Sequence, residues 1–235
     1  MLEIQHLTKS FGNKKAVDDV SFSVGAGEIC AFIGHNGAGK TTTLKCAVGI
    51  LAFDEGEITI DGISVREQPL ETKKRIAYIP DNPDLYDYMT GMQFLNFIGD
   101  IFAVGEEERA SGIRRYAEAL GLSEEELGGQ ISSYSHGMKQ KLVLISALIH
   151  SPKLILLDEP FVGLDPKASY VLKEIMREFC SSGGAILFST HILEVAEKLC
   201  DRVAIIKNGK LIKFGRMEEV KGDSSLEDIF LKSED

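Results

Sequence analysis

Apolar and polar positions change their spacing several times along the chain, and each change predicts a different kind of element. Leu2–Leu7, Val20–Val24, Glu28–Gly34 and Glu57–Ile60 carry the short apolar runs and alternation of strands. The Asp61-Gly62 pair after the last of them is a hairpin turn signal. Ile76–Ile79 predicts a further short, buried strand. From about Thr90 to His150 the spacing becomes helical. Gln93, Phe94, Phe97, Ile98 and Ile101 fall on one predicted helix, Glu106–Leu120 forms another and His136–His150 a third. Strands return at Leu154–Leu157, Ala185–Ser189 and Val203–Lys207, with helices starting near Pro166 and His191 between them. Asn208-Gly209 turns the chain into a last strand, Lys210–Phe214, and a short helix over Ser225–Leu231 follows.

Strands alternating with helices predict an α/β fold with a mixed, mainly parallel sheet. The N-terminal strands add an antiparallel β edge. The helical block, about residues 86–150, reads as an all-helical lobe inserted into a core made of 1–85 and 151–235. No repeat, low-complexity tract or Pro-rich linker divides the 235 residues, which suffice for one substantial core with an attached subdomain.

Charge narrows the partners. Lys and Arg total 26 against 36 Asp and Glu, a net −10, which argues against a nucleic-acid binder because phosphate neutralisation needs a clustered positive surface. The basic runs Lys14-Lys15 and Lys73-Lys74-Arg75 read as solvated faces. No apolar stretch approaches the roughly 18–20 residues that cross a bilayer, and Met-Leu-Glu-Ile-Gln at the start carries no export signal. Any membrane span is therefore expected from another chain. Cys30, Cys46, Cys180 and Cys200 lack C-x-x-C spacing and read as reduced cytosolic thiols, not metal ligands.

Four segments carry candidate chemistry. Gly34-His-Asn-Gly-Ala-Gly-Lys-Thr41 fits G-x-x-x-x-G-K-[ST] at every fixed position, after an apolar strand and before a helix. Its glycines let backbone N–H groups turn around an anion at the positive end of the helix. Lys40 is placed to bridge outer phosphates and Thr41 to offer a hydroxyl to Mg²⁺. The pattern specifies a nucleotide without saying which. Leu154-Ile-Leu-Leu-Asp-Glu-Pro160 ends an apolar strand in two carboxylates, so Asp158 emerges at the sheet's carboxyl edge, where it can hold a Mg²⁺ shell through water. Glu159, one residue on, can orient or deprotonate a water; a solvated turn is the plainer alternative. Ser135 opens a helix with Met138 where a capping box wants Glu or Gln. Its hydroxyl and the helix N–H groups are thus expected to be free for an outside anion, with Gly137 allowing close approach; an ordinary capped helix is the alternative. His191 follows the strand Ala185–Thr190 and can reach a γ-phosphate oxygen, although a lone His at a helix start is more often structural. Phe11, in the turn-rich Ser10-Phe-Gly-Asn13, can stack on adenine or pack in a core.

Taken in order, these segments resemble the nucleotide-binding subunit of ABC transporters over essentially the whole chain. The resemblance implies a P-loop NTPase, RecA-like core. It makes Gly34, Asn36, Gly37, Ala38, Gly39, Lys40, Thr41 and Thr42 the ATP-holding Walker A loop, and Leu154 to Glu159 the Walker B strand and base. Ser135-His-Gly-Met-Lys-Gln140 looks like the signature motif, with Ser135 and Gly137 facing phosphate. Gly163-Leu-Asp165 resembles the loop that communicates across the dimer, His191 the switch histidine and Phe11 the adenine-stacking aromatic. Catalysis is expected from Glu159, His191 and Lys40, with Mg²⁺ at Thr41, Asp158 and Asp81. Two subunits would close head to tail on two ATP, as a homodimer or heterodimer.

Two departures stand out: Ser-His-Gly-Met replaces the common Ser-Gly-Gly-Gln, and Asp81 stands where the family usually has glutamine. Asp81 can accept from Mg²⁺-bound water but cannot donate. The signature and the Ser-Ser-Leu-Glu-Asp-Ile-Phe tail look most like bacterial exporters whose permease is a separate chain. That places the protein in the cytoplasm, peripheral on the inner face of the membrane, with no nucleic-acid partner. Tyr86, Tyr88, Met89, Met92 and Phe94 either line a docking groove or form lobe core. A soluble ABC ATPase acting on a nucleic-acid or ribosomal partner is the alternative, but neither a long heptad insertion nor a second cassette is present. A small-molecule kinase leaves Tyr134 to Gln140 and His191 unexplained.

Overall fold

The computed structural model describes residues 1–222 and 224–232. The first third holds β1 (Leu2–Phe11), β2 (Lys14–Val24), β3 (Ile29–Ile33), α1 (Lys40–Ala47), β4 (Glu55–Ile60), β5 (Ile63–Ser64), α2 (Pro69–Lys73) and β6 (Ile76–Ile79). A helical stretch follows: α3 (Gly91–Ile101), α4 (Glu106–Leu120), α5 (Glu124–Gly128) and α6 (His136–Leu148). The rest alternates again, as β7 (Leu154–Asp158), α7 (Pro166–Ser181), β8 (Ala185–Thr190), α8 (Leu193–Leu199), β9 (Arg202–Lys207), β10 (Lys210–Arg216), α9 (Met217–Lys221) and α10 (Leu226–Lys232).

Two sheets form. One runs β10-β9-β3-β8-β7-β6, with all neighbours parallel except the edge strand β10. The other, β2-β1-β4-β5, is wholly antiparallel, so the N-terminal strands make a sheet of their own beside the main one. The central strands read as unbroken apolar runs because both of their faces are covered. Phe32, Leu154, Leu156, Leu187 and Ile206 point toward α1 and the antiparallel sheet. Ile33, Ile155, Leu157, Phe188 and Ile205, from alternate positions, point toward the helices.

Asp61-Gly62 and Asn208-Gly209 are two-residue hairpin loops with positive φ at both positions, as a type I′ turn requires. Strands β1 and β2 extend past the predicted Leu2–Leu7 and Val20–Val24 to a turn at Gly12-Asn13. Register shifts between Ile4 and Ser10, with left-handed backbone at His6 and Asp19, break the alternation that the pattern relies on. The short helices α2, α5 and α9 are too brief to establish a period. α8 begins two residues beyond His191, which lies in the connection from β8.

The aromatic group at the start of the helical stretch divides. Phe94 is core, Met89 and Met92 pack against that core, and Tyr86 and Tyr88 are exposed; the Tyr86 ring meets Tyr88 and Phe97 at centroid distances of 5.9 and 5.8 Å. Among the described residues no helix is long and apolar enough to cross a membrane.

His150, just past α6, stacks on Phe102 with ring centroids 3.8 Å apart. Burial pushes its imidazole down to about 4 from 6.5. The folded chain therefore binds fewer protons than the unfolded chain between those values, so stability falls as pH drops through that window. His150→Phe keeps a stacking ring and should flatten the Tm–pH curve between pH 6.5 and 4; an unchanged slope contradicts this account.

Candidate functional site

Parallel strands deliver their carboxyl ends to one edge, and the site is built there. After β3 the chain turns back over residues 34–39 into α1. Gly37 and Gly39 adopt φ of 80° and 112°, left-handed conformations that glycine takes without strain. A Cβ on Gly39 would lie 2.5 Å from the Ala16 carbonyl oxygen, and one on Gly34 2.5 Å from that of Ile206. α1 starts with no side-chain cap and no acidic residue in its first turn, so its N–H groups keep their positive end unneutralised. Lys40 is buried, yet its Nζ donates to the carbonyls of Gly34 (2.6 Å) and His35 (3.3 Å) and lies 3.5 Å from Glu159 Oε1.

At the end of β7 Asp158 is buried and accepts a 2.5 Å hydrogen bond from Ser189 Oγ. That hydroxyl in turn accepts from the Glu159 backbone N–H at 3.0 Å. Ser189 thereby fixes both carboxylate residues. It escapes the sequence reading, although a hydroxyl near the carboxyl end of a buried strand is the same signal that marks Asp158. Glu159 holds a left-handed φ of 49°, an uncommon state for a residue with a Cβ that here accompanies a close polar cluster. Its Oε2 sits 3.0 Å from His191 Nδ1, so one carboxylate lies between Lys40 and His191.

A cleft of about 360 Å³ collects Asn36, Gly37, Gly39, Lys40, Thr41, Thr42, Asp81, Asp158 and Glu159. Phe11 forms its outer wall at the β1–β2 turn, 52% exposed, with Lys9 Nζ 5.3 Å from the ring centre. Gly34 and Ala38, in the same loop, are buried. A larger groove of about 750 Å³ in the helical stretch contains none of these residues. The glycine cradle and buried ammonium fit a polyphosphate. Among the described residues no three acidic, His or Cys side chains cluster as a self-sufficient metal site. Thr41 and Asp158 in one cleft instead suit Mg²⁺, which takes few protein ligands and completes its shell with water and phosphate.

Ser135 and Gly137 are not brought to this cleft. Ser135 Oγ also departs from expectation: it is not idle but accepts from the Met138 N–H at 3.2 Å, capping α6 without a Glu or Gln partner. The hydroxyl proton remains available to donate. Gly137 lies under the 159–165 loop, where an added Cβ would sit 3.2 Å from the Gly163 carbonyl oxygen. Lys141 on α6 pairs with Asp165 at 3.7 Å, and Asp165 caps α7 through the Ala168 N–H at 2.8 Å. The α6 tip is therefore joined to the loop that follows Glu159 and lies outside the cleft of its own chain.

Known proteins share this sequence and this fold. The family model described as ABC transporter matches residues 17–162. The ABC transporter ATP-binding protein YxlF of Bacillus subtilis (strain 168) is 41% identical over 221 residues, covering 94% of this chain and 72% of the relative. The chain spans 61% of the length of a Synechocystis ABC transporter ATP-binding protein and 79% of one from Methanocaldococcus jannaschii. A solved ATP-binding subunit of an ABC transporter superposes with a TM-score of 0.95 at 33% identity, each chain covered completely. The cassette MJ0796, solved as a post-hydrolysis dimer with ADP and Pi, shares the fold at TM-score 0.84 and 22% identity, over 92% of this chain and 99% of that one. This chain belongs to the ABC transporter family and is one of its ATP-binding ATPase cassettes.

Proposed function

We propose that the chain is one of two ATPase subunits that close head to tail around two ATP and drive substrate through an integral membrane protein on a separate chain. Export is the direction. The observation that carries this reading is the α6 tip: a capped helix N-terminus with Ser135 and Gly137, set apart from its own cleft and tied to the loop after Glu159. Such an end suits the phosphates of a second copy. The partner subunit is a homologous cassette or a second copy of this chain. The dimeric state of the MJ0796 cassette supports the same arrangement.

In this reading residues 1–85 and 151–235 form the nucleotide core and 86–150 the lobe that meets the permease. Phe11 stacks on adenine, and the loop from Gly34 through Thr42, with Asn36 and Ala38, wraps the phosphates. Lys40 exchanges its carbonyl contacts for phosphate oxygens. Thr41, Asp158 and Asp81 would hold Mg²⁺, which would supply neutralisation of the phosphate charge. Glu159 accepts the proton of the attacking water, and His191 holds that carboxylate from its outer side before reaching the terminal phosphate.

Tyr86, Tyr88, Phe97 and Ile101 expose an apolar patch on the lobe that fits a permease's cytoplasmic surface. The protein would thus work at the inner face of the cell membrane, and its −10 charge gives nucleic acid little purchase. Affinity purification of the tagged chain from detergent-solubilised membranes should bring down an integral membrane protein. Recovery only from the soluble fraction, with ribosomes or nucleic acid, contradicts the proposal.

A further inference from the structure

The C-terminal helix touches the phosphate loop. Phe230 on α10 packs on the His35 ring, with centroids 4.4 Å apart and planes tilted by 46°. His35 lies inside the loop, and its carbonyl oxygen accepts from Lys40 Nζ and from the Ala38 N–H. Whatever fixes His35 therefore also fixes an acceptor for the phosphate-binding lysine. Phe230 itself does not line the cleft. α10 is anchored independently. Ser225 and Asp228 bond reciprocally at its start, as Ser225 Oγ accepts from the Asp228 N–H (3.0 Å) and Asp228 Oδ2 from the Ser225 N–H (3.2 Å). Leu226 is fully buried, and its N–H donates to Glu197 Oε1 on α8 at 2.5 Å. Lys221, on the approach to α10, reaches the other oxygen of Glu197 at 3.4 Å. α8 is the helix that follows His191. One short helix thus spans the two sides of the site.

We propose that α10 is a strap holding the phosphate loop in its nucleotide-binding form, with Phe230 a positioning residue that acts through His35. The strap rests on the reading of the 360 Å³ cleft as the ATP site. The experiment is calorimetric titration of a non-hydrolysable ATP analogue with Mg²⁺ into the full chain and four variants, with Tm measured alongside. Phe230→Ala should weaken binding by about three- to tenfold, the range a single aromatic contact supports, at an unchanged Tm. Phe230→Tyr, which keeps the ring, should stay within about twofold of wild type. In a double-mutant cycle, Phe230→Ala should add nothing once His35→Ala is present. Wild-type affinity in Phe230→Ala, or losses that simply add, overturns the strap. Should Phe230→Ala fail to fold, Phe230→Leu decides, since it keeps apolar bulk and loses the ring: binding about threefold or more weaker than in Phe230→Tyr supports the strap, and affinity equal to that of Phe230→Tyr overturns it. A wild-type chain that binds no nucleotide instead retires the cleft assignment, and the strap with it.

Discussion

Glu159→Gln should lower ATP turnover by roughly 10²- to 10⁴-fold, the contribution of a positioned general base, while nucleotide stays bound. The amide is nearly isosteric with the carboxylate, so the place between His191 and Lys40 remains filled. What is lost is the ability to take a proton from water. Removing the negative charge 3.5 Å from Lys40 Nζ also frees that ammonium for phosphate, so affinity should not fall. The variant should accumulate as an ATP-loaded dimer. Phosphate release gives the rate, and size-exclusion chromatography with labelled ATP gives the bound state. Turnover at the wild-type rate would remove Glu159 from the base role.

Ser135→Arg should have a comparable effect on turnover by a different route. The substitution removes the cap on the Met138 N–H, at about 1 kcal/mol of stability, and fills the α6 tip with a long side chain. If that tip supplies donors to another copy's phosphate, turnover falls roughly 10²- to 10³-fold, as when a preorganised donor is removed from a charged transition state. ATP binding to the isolated chain should be untouched, because Ser135 lies outside the chain's own cleft. Equilibrium binding at dilution separates the outcomes: loss of affinity in the monomer would mean that the α6 tip serves its own nucleotide.

Much of this geometry is legible in the sequence because buried parallel strands leave so few choices. Leu154-Ile-Leu-Leu must be covered on both faces, so the carboxylates that follow have only the strand end to occupy, and the same reasoning locates the turn after Ile29–Ile33. The paired turns Asp61-Gly62 and Asn208-Gly209 are equally plain, since few other residue pairs accept their backbone. What resists reading has physical causes. The bulges in β1 hide the true strand end and place Phe11 at a hairpin tip. Ser135 caps α6 with its own oxygen because the Ser135–Met138 backbone geometry suffices without a reciprocal side chain. The fixing role of Ser189 and the contact of Phe230 with His35 are tertiary, joining residues 30 or more positions apart, and leave no periodic trace.

The shared pocket is tested most directly by mixing the two inactive variants. In a mixed dimer of Glu159→Gln and Ser135→Arg chains, one site carries both defects and the other carries neither. ATPase activity missing from each variant alone should return on mixing, to about a quarter of the wild-type rate if subunits of a two-fold dimer exchange freely and the sites act independently. Mixtures that stay inactive at every ratio, although crosslinking shows that mixed dimers have formed, would contradict the shared pocket.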